Sequence, residues 1–212
     1  MDRNIIDSTA TVPVILNGTS IKADGNSGWR PGMRQILLCV GSISEGKNQT
    51  AVLECLRGLA PELRRRFKVV FVGGDATAGE FASRVRDYHL EDTVELTGFL
   101  PPSEVASYYA SAFGNLLPSK GEAFGLSIIE AFQFGVPTLT YADLDAIEDL
   151  YSPVAMQLME DRSVETFQSA LELFLNRDWD RDAIREHGTR FRLSETAAQY
   201  AAFYKQVREE AI

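Results

Sequence analysis

Cysteine and histidine are nearly absent: the 212 residues hold two of each. Cys39, in an apolar run that reads as a strand, and Cys55, in a helical stretch, cannot build a disulfide framework and fit a reducing compartment. His89 and His187 stand far apart, with no nucleophile or ligand partner at usable spacing. They read as surface or capping residues, and no metal site is assigned. Basic charge is also short, with 21 Lys and Arg against 30 Asp and Glu and a net charge of −9. A nucleic-acid partner, which needs a basic face, is therefore excluded. No apolar run approaches the ~20 residues of a spanning helix, and no secretory leader is recognised. The expected location is cytoplasmic. What remains is 45% apolar and 24% charged, ordinary values for a globular chain long enough for one full core.

Residues 1–34 are polar and rich in turn formers, apart from an apolar run from Val12 to Leu16. Beyond them strand and helix signals alternate. Strands are expected at Gln35 to Val40, Phe67 to Val72, Thr93 to Leu96, Asn115 to Leu117, Pro137 to Thr140 and Val154 to Leu158. Helices are expected at Asn48 to Leu59, Gly79 to His89, from Ser103 as N-cap with Glu104 in the first turn, at Gly125 to Phe134, and from Asp161 onward. Phe167, Leu171, Leu173, Phe174 and Leu175 read as core. Repeated strand–helix units predict an α/β fold, a doubly wound parallel sheet covered by helices. Ligands in such sheets lie at the carboxyl ends of the strands, where the 41–47, 73–75, 97–100 and 118–125 loops converge.

One stretch carries most of the chemistry. Pro118-Ser119-Lys120-Gly121 makes a turn after a strand, Glu122 follows, and Phe124-Gly125 opens an apolar helix with Glu130 in its second turn. Main-chain amides left unpaired at a helix start suit a phosphate or sugar oxygen. Carboxylates beside them must instead accept hydrogen bonds from hydroxyls. Together these describe a sugar-nucleotide pocket. Upstream, Gly41, Ser42, Ser44 and Gly46 allow close backbone approach, and Lys47 stands where its charge opposes a helix dipole until an anion binds.

Glu122-x7-Glu130, with Phe124-Gly125 inside it, resembles the donor-site motif of retaining GT-B glycosyltransferases of family four (glycosyl transferases group 1). Val14-Ile15-Leu16-Asn17-Gly18 resembles the segment leading into their C-terminal domain, and Val40 to Asn48 their phosphate-binding loop. Val70-Phe71-Val72-Gly73-Gly74, Val94 to Phe99 and Phe134-Gly135-Val136-Pro137 follow in family order. The resemblance implies the C-terminal half of a GT-B fold: residues 1–34 a linker, and residues 35–212 a Rossmann-like nucleotide-sugar-binding domain with C-terminal helices. It assigns donor binding to Gly41, Ser42, Lys47, Phe99, Leu100, Glu122, Ala123, Phe124, Gly125, Leu126, Ser127 and Glu130, with Lys47 and Glu122 as the catalytic pair. Glu130 would hold the ribose hydroxyls. Glu122 and the Phe124 to Ser127 amides would meet the sugar and distal phosphate, and the base would lie on the 97–100 loop, where Phe99 reads equally as core.

The implied reaction moves a hexose from a nucleoside diphosphate sugar, with UDP or GDP expected, to a hydroxyl of a glycan or lipid-linked glycan. The leaving diphosphate can take the acceptor proton, and no cofactor is implied. Relatives are about twice as long, so a separate N-terminal acceptor domain is an expected partner, and through it a peripheral position at a membrane face. Without it the chain is expected to be inactive. The sequence departs from the family at Ser42, where relatives carry an arginine that grips the diphosphate. It departs again at Leu144-Asp145, where they carry a Gly-Gly pair. Asp143-x-Asp145 and Asp178-Trp179-Asp180 mimic the metal-binding motif of another glycosyltransferase fold, but neither adjoins a nucleotide loop. Half of a split enzyme and a non-catalytic sugar-nucleotide-binding or scaffold subunit stay open as alternatives; a nucleotide-sugar epimerase fits the motif less well.

Overall fold

The computed structural model describes residues 13–22 and 34–210. Val12, with the other residues of 1–12, and residues 23–33 and 211–212 lie outside the described residues. Six strands, Gln35–Val40 (β1), Phe67–Val72 (β2), Val94–Gly98 (β3), Gly114–Leu117 (β4), Thr138–Tyr141 (β5) and Met156–Met159 (β6), form a parallel sheet in the order β3-β2-β1-β4-β5-β6. Helices Thr50–Gly58 (α1), Pro61–Arg64 (α2), Glu80–Asp87 (α3), Pro102–Ser111 (α4), Leu126–Gln133 (α5), Ile147–Leu150 (α6), Val164–Asn176 (α7), Arg181–Gly188 (α8) and Leu193–Glu210 (α9), with a 3-10 turn at Thr189–Phe191, complete the described elements. This is the doubly wound, Rossmann-like arrangement expected. Its strand order reverses between β1 and β4, and a ligand crevice opens at that point in such sheets.

The short apolar runs become strands because both faces of the sheet are covered, so no polar alternation is required. Side chains alternate along each strand, and the core divides accordingly. Leu37 and Cys39 of β1 join Val69, Phe71, Leu116 and Leu139 in the larger cluster, under α1 and α7. Leu38, Val70 and Val72 pack on the other face with Tyr109, Ala112, Ala131, Phe134 and Val136.

Several expectations change. Helix α4 begins at Pro102, with Pro101 as its N-cap and no side-chain cap, and Ser103 lies inside the first turn beside Glu104. Proline's fixed φ suits the first helical position, where its missing N–H is not needed. Leu173 is exposed on α7 rather than core. Strand β6 starts at Met156, and Val154 is exposed. His187 stands in the last turn of α8 and is half-buried: its ring packs against Phe132 and Phe191, with centroids 5.2 and 5.8 Å away, and burial lowers its pKa. His89 does sit at a helix end, with φ of 53° just after α3.

Residues 16–19 dock on the 3-10 turn before α9 and on the start of α9. Thr19 N donates to Phe191 O (2.9 Å), Leu193 N to Thr19 O (3.0 Å), and Thr196 Oγ1 to Leu16 O (3.1 Å). A Cβ at Gly18 would stand 2.6 Å from Thr196 Oγ1 and 2.8 Å from Leu193 Cα, so only glycine fits there.

Candidate functional site

The carboxyl ends of β3, β2 and β1 are stitched into one rim. Gly73 N donates to Gly98 O (2.9 Å), Gly41 N to Val72 O (2.8 Å) and Ile43 N to Gly74 O (2.8 Å). Gly73 has φ of +151°, and a Cβ on it would lie 2.2 Å from Gly41 O. The rim therefore closes only because this position has no side chain.

Across the switch point, the loop after β1 is tied to the loop after β4. Lys47 Nζ lies 2.5 Å from Glu122 Oε2, with 37% and 14% of the two side chains exposed. Asn48 Nδ2 donates to Pro118 O (3.1 Å), and Lys120 N donates to Gly46 O (2.9 Å). Gln49 is buried and braces the first loop, donating to Ser42 O (3.0 Å) and accepting from Ser44 N (3.2 Å). Arg162, from the loop before α7, holds the second loop. It donates to Ser119 O (2.9 Å), pairs with Asp143 (2.7 Å) and lies over the Tyr141 ring.

Gly125, in the left-handed region at φ of 81°, turns the chain into α5. The helix has no side-chain cap, which suits its first amides to an incoming acceptor atom. Glu130 is half-buried. Burial pushes its carboxyl pKa up, and a hydrogen bond from Tyr109 opposes the rise. Tyr109 Oη lies 3.2 Å from Glu130 Oε2 and 3.2 Å from Ser127 O. The two thiols are unsuited to nucleophilic work: burial raises Cys39 and Cys55 to about 12.

The profile of the family "Glycosyl transferases group 1" matches residues 22–191. The chain belongs to this family. It is 28% identical over 193 residues to a D-inositol 3-phosphate glycosyltransferase of Thermobispora bispora, covering 84% of this chain and 45% of that one. Its identity to the enzyme of the same name from Geodermatophilus obscurus is 30% over 184 residues, 82% of this chain and 41% of that one. The chain thus spans less than half the length of these curated relatives. Among solved structures, the fold is shared with the lipopolysaccharide outer core galactosyltransferase WaaB in its apo form (TM-score 0.73, 20% identity, 91% of this chain and 56% of that one). It is shared also with Anabaena Alr3699/HepE in complex with UDP and glucose (TM-score 0.69, 17% identity, 82% and 49%).

In this group 1 chain, the residues singled out in the sequence divide by position. Lys47 and Glu122 are in direct contact. Gly41 and Ser42 stand on the β1 side of the crevice. Ala123 and Leu126 are exposed at the head of α5, while Phe124 turns inward against Phe191. Phe99 is 83% exposed and is no core residue, whereas Leu100 packs on the second core cluster. Both follow β3, three strand spacings or roughly 14 Å from β4, so they sit at the far end of the rim from Glu122. Lys120 is engaged with Glu45 at 3.0 Å. Leu144, one of the two positions where the sequence departs from the resemblance, is buried in the core.

Gln49, Tyr109 and Arg162 were not evident from the sequence. The apolar spacing of Val105, Tyr109 and Ala112 is a signal that could have pointed to burial of Tyr109, but nothing local names its partner on α5. Among the described residues no group of His, Cys, Asp and Glu is arranged to hold a metal, and no helix is long and apolar enough to cross a membrane. A groove of about 550 Å³ between α1 and α7 adjoins the loop junction: Asn48, Lys120 and Arg162 line it together with Thr50, Glu54 and Phe167, while neither Glu130 nor Phe99 contributes to it.

Proposed function

We propose that this chain is the donor-binding half of a retaining GT-B glycosyltransferase of family four, holding a nucleoside diphosphate sugar at the β1/β4 switch point. The observation that carries the reading is the junction of the two loops there. It places an ammonium (Lys47), a carboxylate (Glu122) and the uncapped start of α5 together, with a second carboxylate (Glu130) one turn along. Lys47 and the α5 amides would stabilise the departing diphosphate charge. Glu122 would accept from sugar hydroxyls, Glu130 from the ribose, and the 97–100 loop would receive the base. The hexose acceptor, a glycan or lipid-linked glycan hydroxyl, would be presented by a second domain, on the same polypeptide or on a partner. The leaving diphosphate would take its proton. Such an enzyme would work in the cytoplasm, reaching a membrane face only through that second domain.

UDP, bound in the Anabaena neighbour, is the first nucleotide to test, with GDP and ADP beside it. A thermal-shift titration on wild type and Glu130→Ala reads the site directly. Ligand at ~100 times its Kd adds ~2.7 kcal/mol, or roughly 5–10 °C for a chain of this size. A rise with one base, lost in the variant, supports the reading; no rise with any at millimolar concentration overturns it. Ser42 favours a second reading, donor binding without turnover. It offers one neutral hydrogen bond where the resemblance implies a guanidinium. Under that reading nucleotide binding persists, but no sugar is transferred when the acceptor half is supplied.

A further inference from the structure

Glu130 reaches the crevice from α5 on a flexible side chain, and its usefulness to a ribose depends on what holds it. Tyr109 comes from α4 and belongs to the second core cluster. It is fully buried, its ring stacked on Phe134 with centroids 5.5 Å apart at 20°. Its place is set by packing, so the hydroxyl presents a fixed donor to Glu130 Oε2. Glu130 Oε1 has no protein partner among the described residues and is not sealed from solvent. The same hydroxyl lies equally near Ser127 O, one turn back on α5. A charged acceptor draws the stronger bond, so the proton goes to the carboxylate.

We propose that Tyr109 is a positioning residue for nucleotide recognition: its hydroxyl locks Oε2 of Glu130 so that Oε1 stays presented to the ribose hydroxyls. The proposal rests on the donor-site reading above. Burial raises the pKa of Tyr109 well above its ordinary value, so it remains a donor throughout the neutral range. Without it, ligand binding must itself freeze the Glu130 side chain. Ordering one such side chain corresponds to roughly a 3- to 10-fold loss of affinity.

The test compares wild type, Tyr109→Phe and Glu130→Gln of the full chain by calorimetry. The probes are whichever of UDP, GDP and ADP binds wild type and its 2′,3′-dideoxy counterpart. Phenylalanine keeps the ring stack, and a thermal melt checks that the variant is folded. The expected result is that Tyr109→Phe weakens the ribonucleotide roughly 3- to 10-fold and leaves the dideoxy nucleotide unchanged. A merely structural role would weaken both alike and would overturn the proposal, as would no change in either. A second readout is the pH dependence of affinity. Losing a donor to the carboxylate raises the Glu130 pKa, so the acid limb should move to higher pH in Tyr109→Phe; an unmoved limb counts against the proposal. If Glu130→Gln fails to discriminate the two nucleotides, or none binds wild type, the donor-site reading falls first and takes the proposal with it. If Glu130→Gln discriminates and Tyr109→Phe does not, only the Tyr109 proposal falls.

Discussion

Lys47 Nζ and Glu122 Oε2 meet at 2.5 Å although 75 residues separate them in the chain. One belongs to the loop after β1 and the other to the loop after β4, so the contact spans the point where the strand order reverses. An ammonium has three donors, and Glu122 uses one. The pair sets the direction of the cation while leaving it able to meet an anion.

Replacing Lys47 by methionine should separate phosphate binding from stability. With the lysine side chain 37% exposed, the pair is screened and contributes about 0–1 kcal/mol to folding, so the melting temperature should fall by no more than ~4 °C. A lost hydrogen bond to a charged group corresponds to ~1.5–3 kcal/mol. UDP affinity should therefore drop roughly 10- to 150-fold while uridine affinity stays put. Calorimetry with both ligands checks this, and equal losses for the two would refute a phosphate role.

Glu130→Gln should not weaken the fold at neutral pH. Burial raises the folded-state pKa of Glu130 above the unfolded value of ~4.3. Its contribution to stability is therefore complete below about pH 4 and is lost as pH rises through the folded value, so the ionised side chain is a cost at pH 7. The amide retains an acceptor for Tyr109. Melting at pH 7 should be unchanged or raised by ~2–4 °C, with the difference closing near pH 4. A clear drop at pH 7 would contradict the burial argument.

Phe99→Ala tests the far end of the rim. The side chain is 83% exposed, so the melting temperature should shift by less than ~2 °C. If the base lies on this loop, uridine and UDP should both weaken by roughly 5-fold or more, the low end of a lost base–aromatic stack. Inorganic pyrophosphate should bind as before.

Gly73→Ala should damage the rim itself. The added methyl would meet a main-chain oxygen at 2.2 Å from a backbone angle of +151°, and neither partner is a movable side chain. Urea denaturation should show a loss of at least ~2 kcal/mol. A smaller effect would mean that the β1 and β2 loops can slide apart.

Much of this protein was legible from local pattern. Short apolar runs ending in glycine at Val40-Gly41 and Val72-Gly73 marked buried parallel strands, because such strands are covered on both faces and their carboxyl-end turns need a residue without a side chain. The spacing of Glu122, Gly125 and Glu130 placed two carboxylates around a helix start. Pro101-Pro102 was misread for want of weighing proline's fitness for the first helical turn against the hydroxyl of Ser103. The half-burial of His187 was not legible, because one of the two rings it packs on, Phe132, comes from α5, an element distant in the chain.

The sequence by itself determined the strand–helix alternation, the motif residues and their chemical types, since periodicity and turn chemistry are properties of neighbouring residues. Only the tertiary structure decided that Lys47 touches Glu122, that Tyr109 holds Glu130, that Arg162 clamps the loop between them, and that Phe99 stands in solvent. Those are long-range facts. They follow from strand order and helix packing, which bring together side chains 75 residues apart at Lys47 and Glu122 and 110 apart at Arg66 and Asn176 and leave no trace in the local spacing.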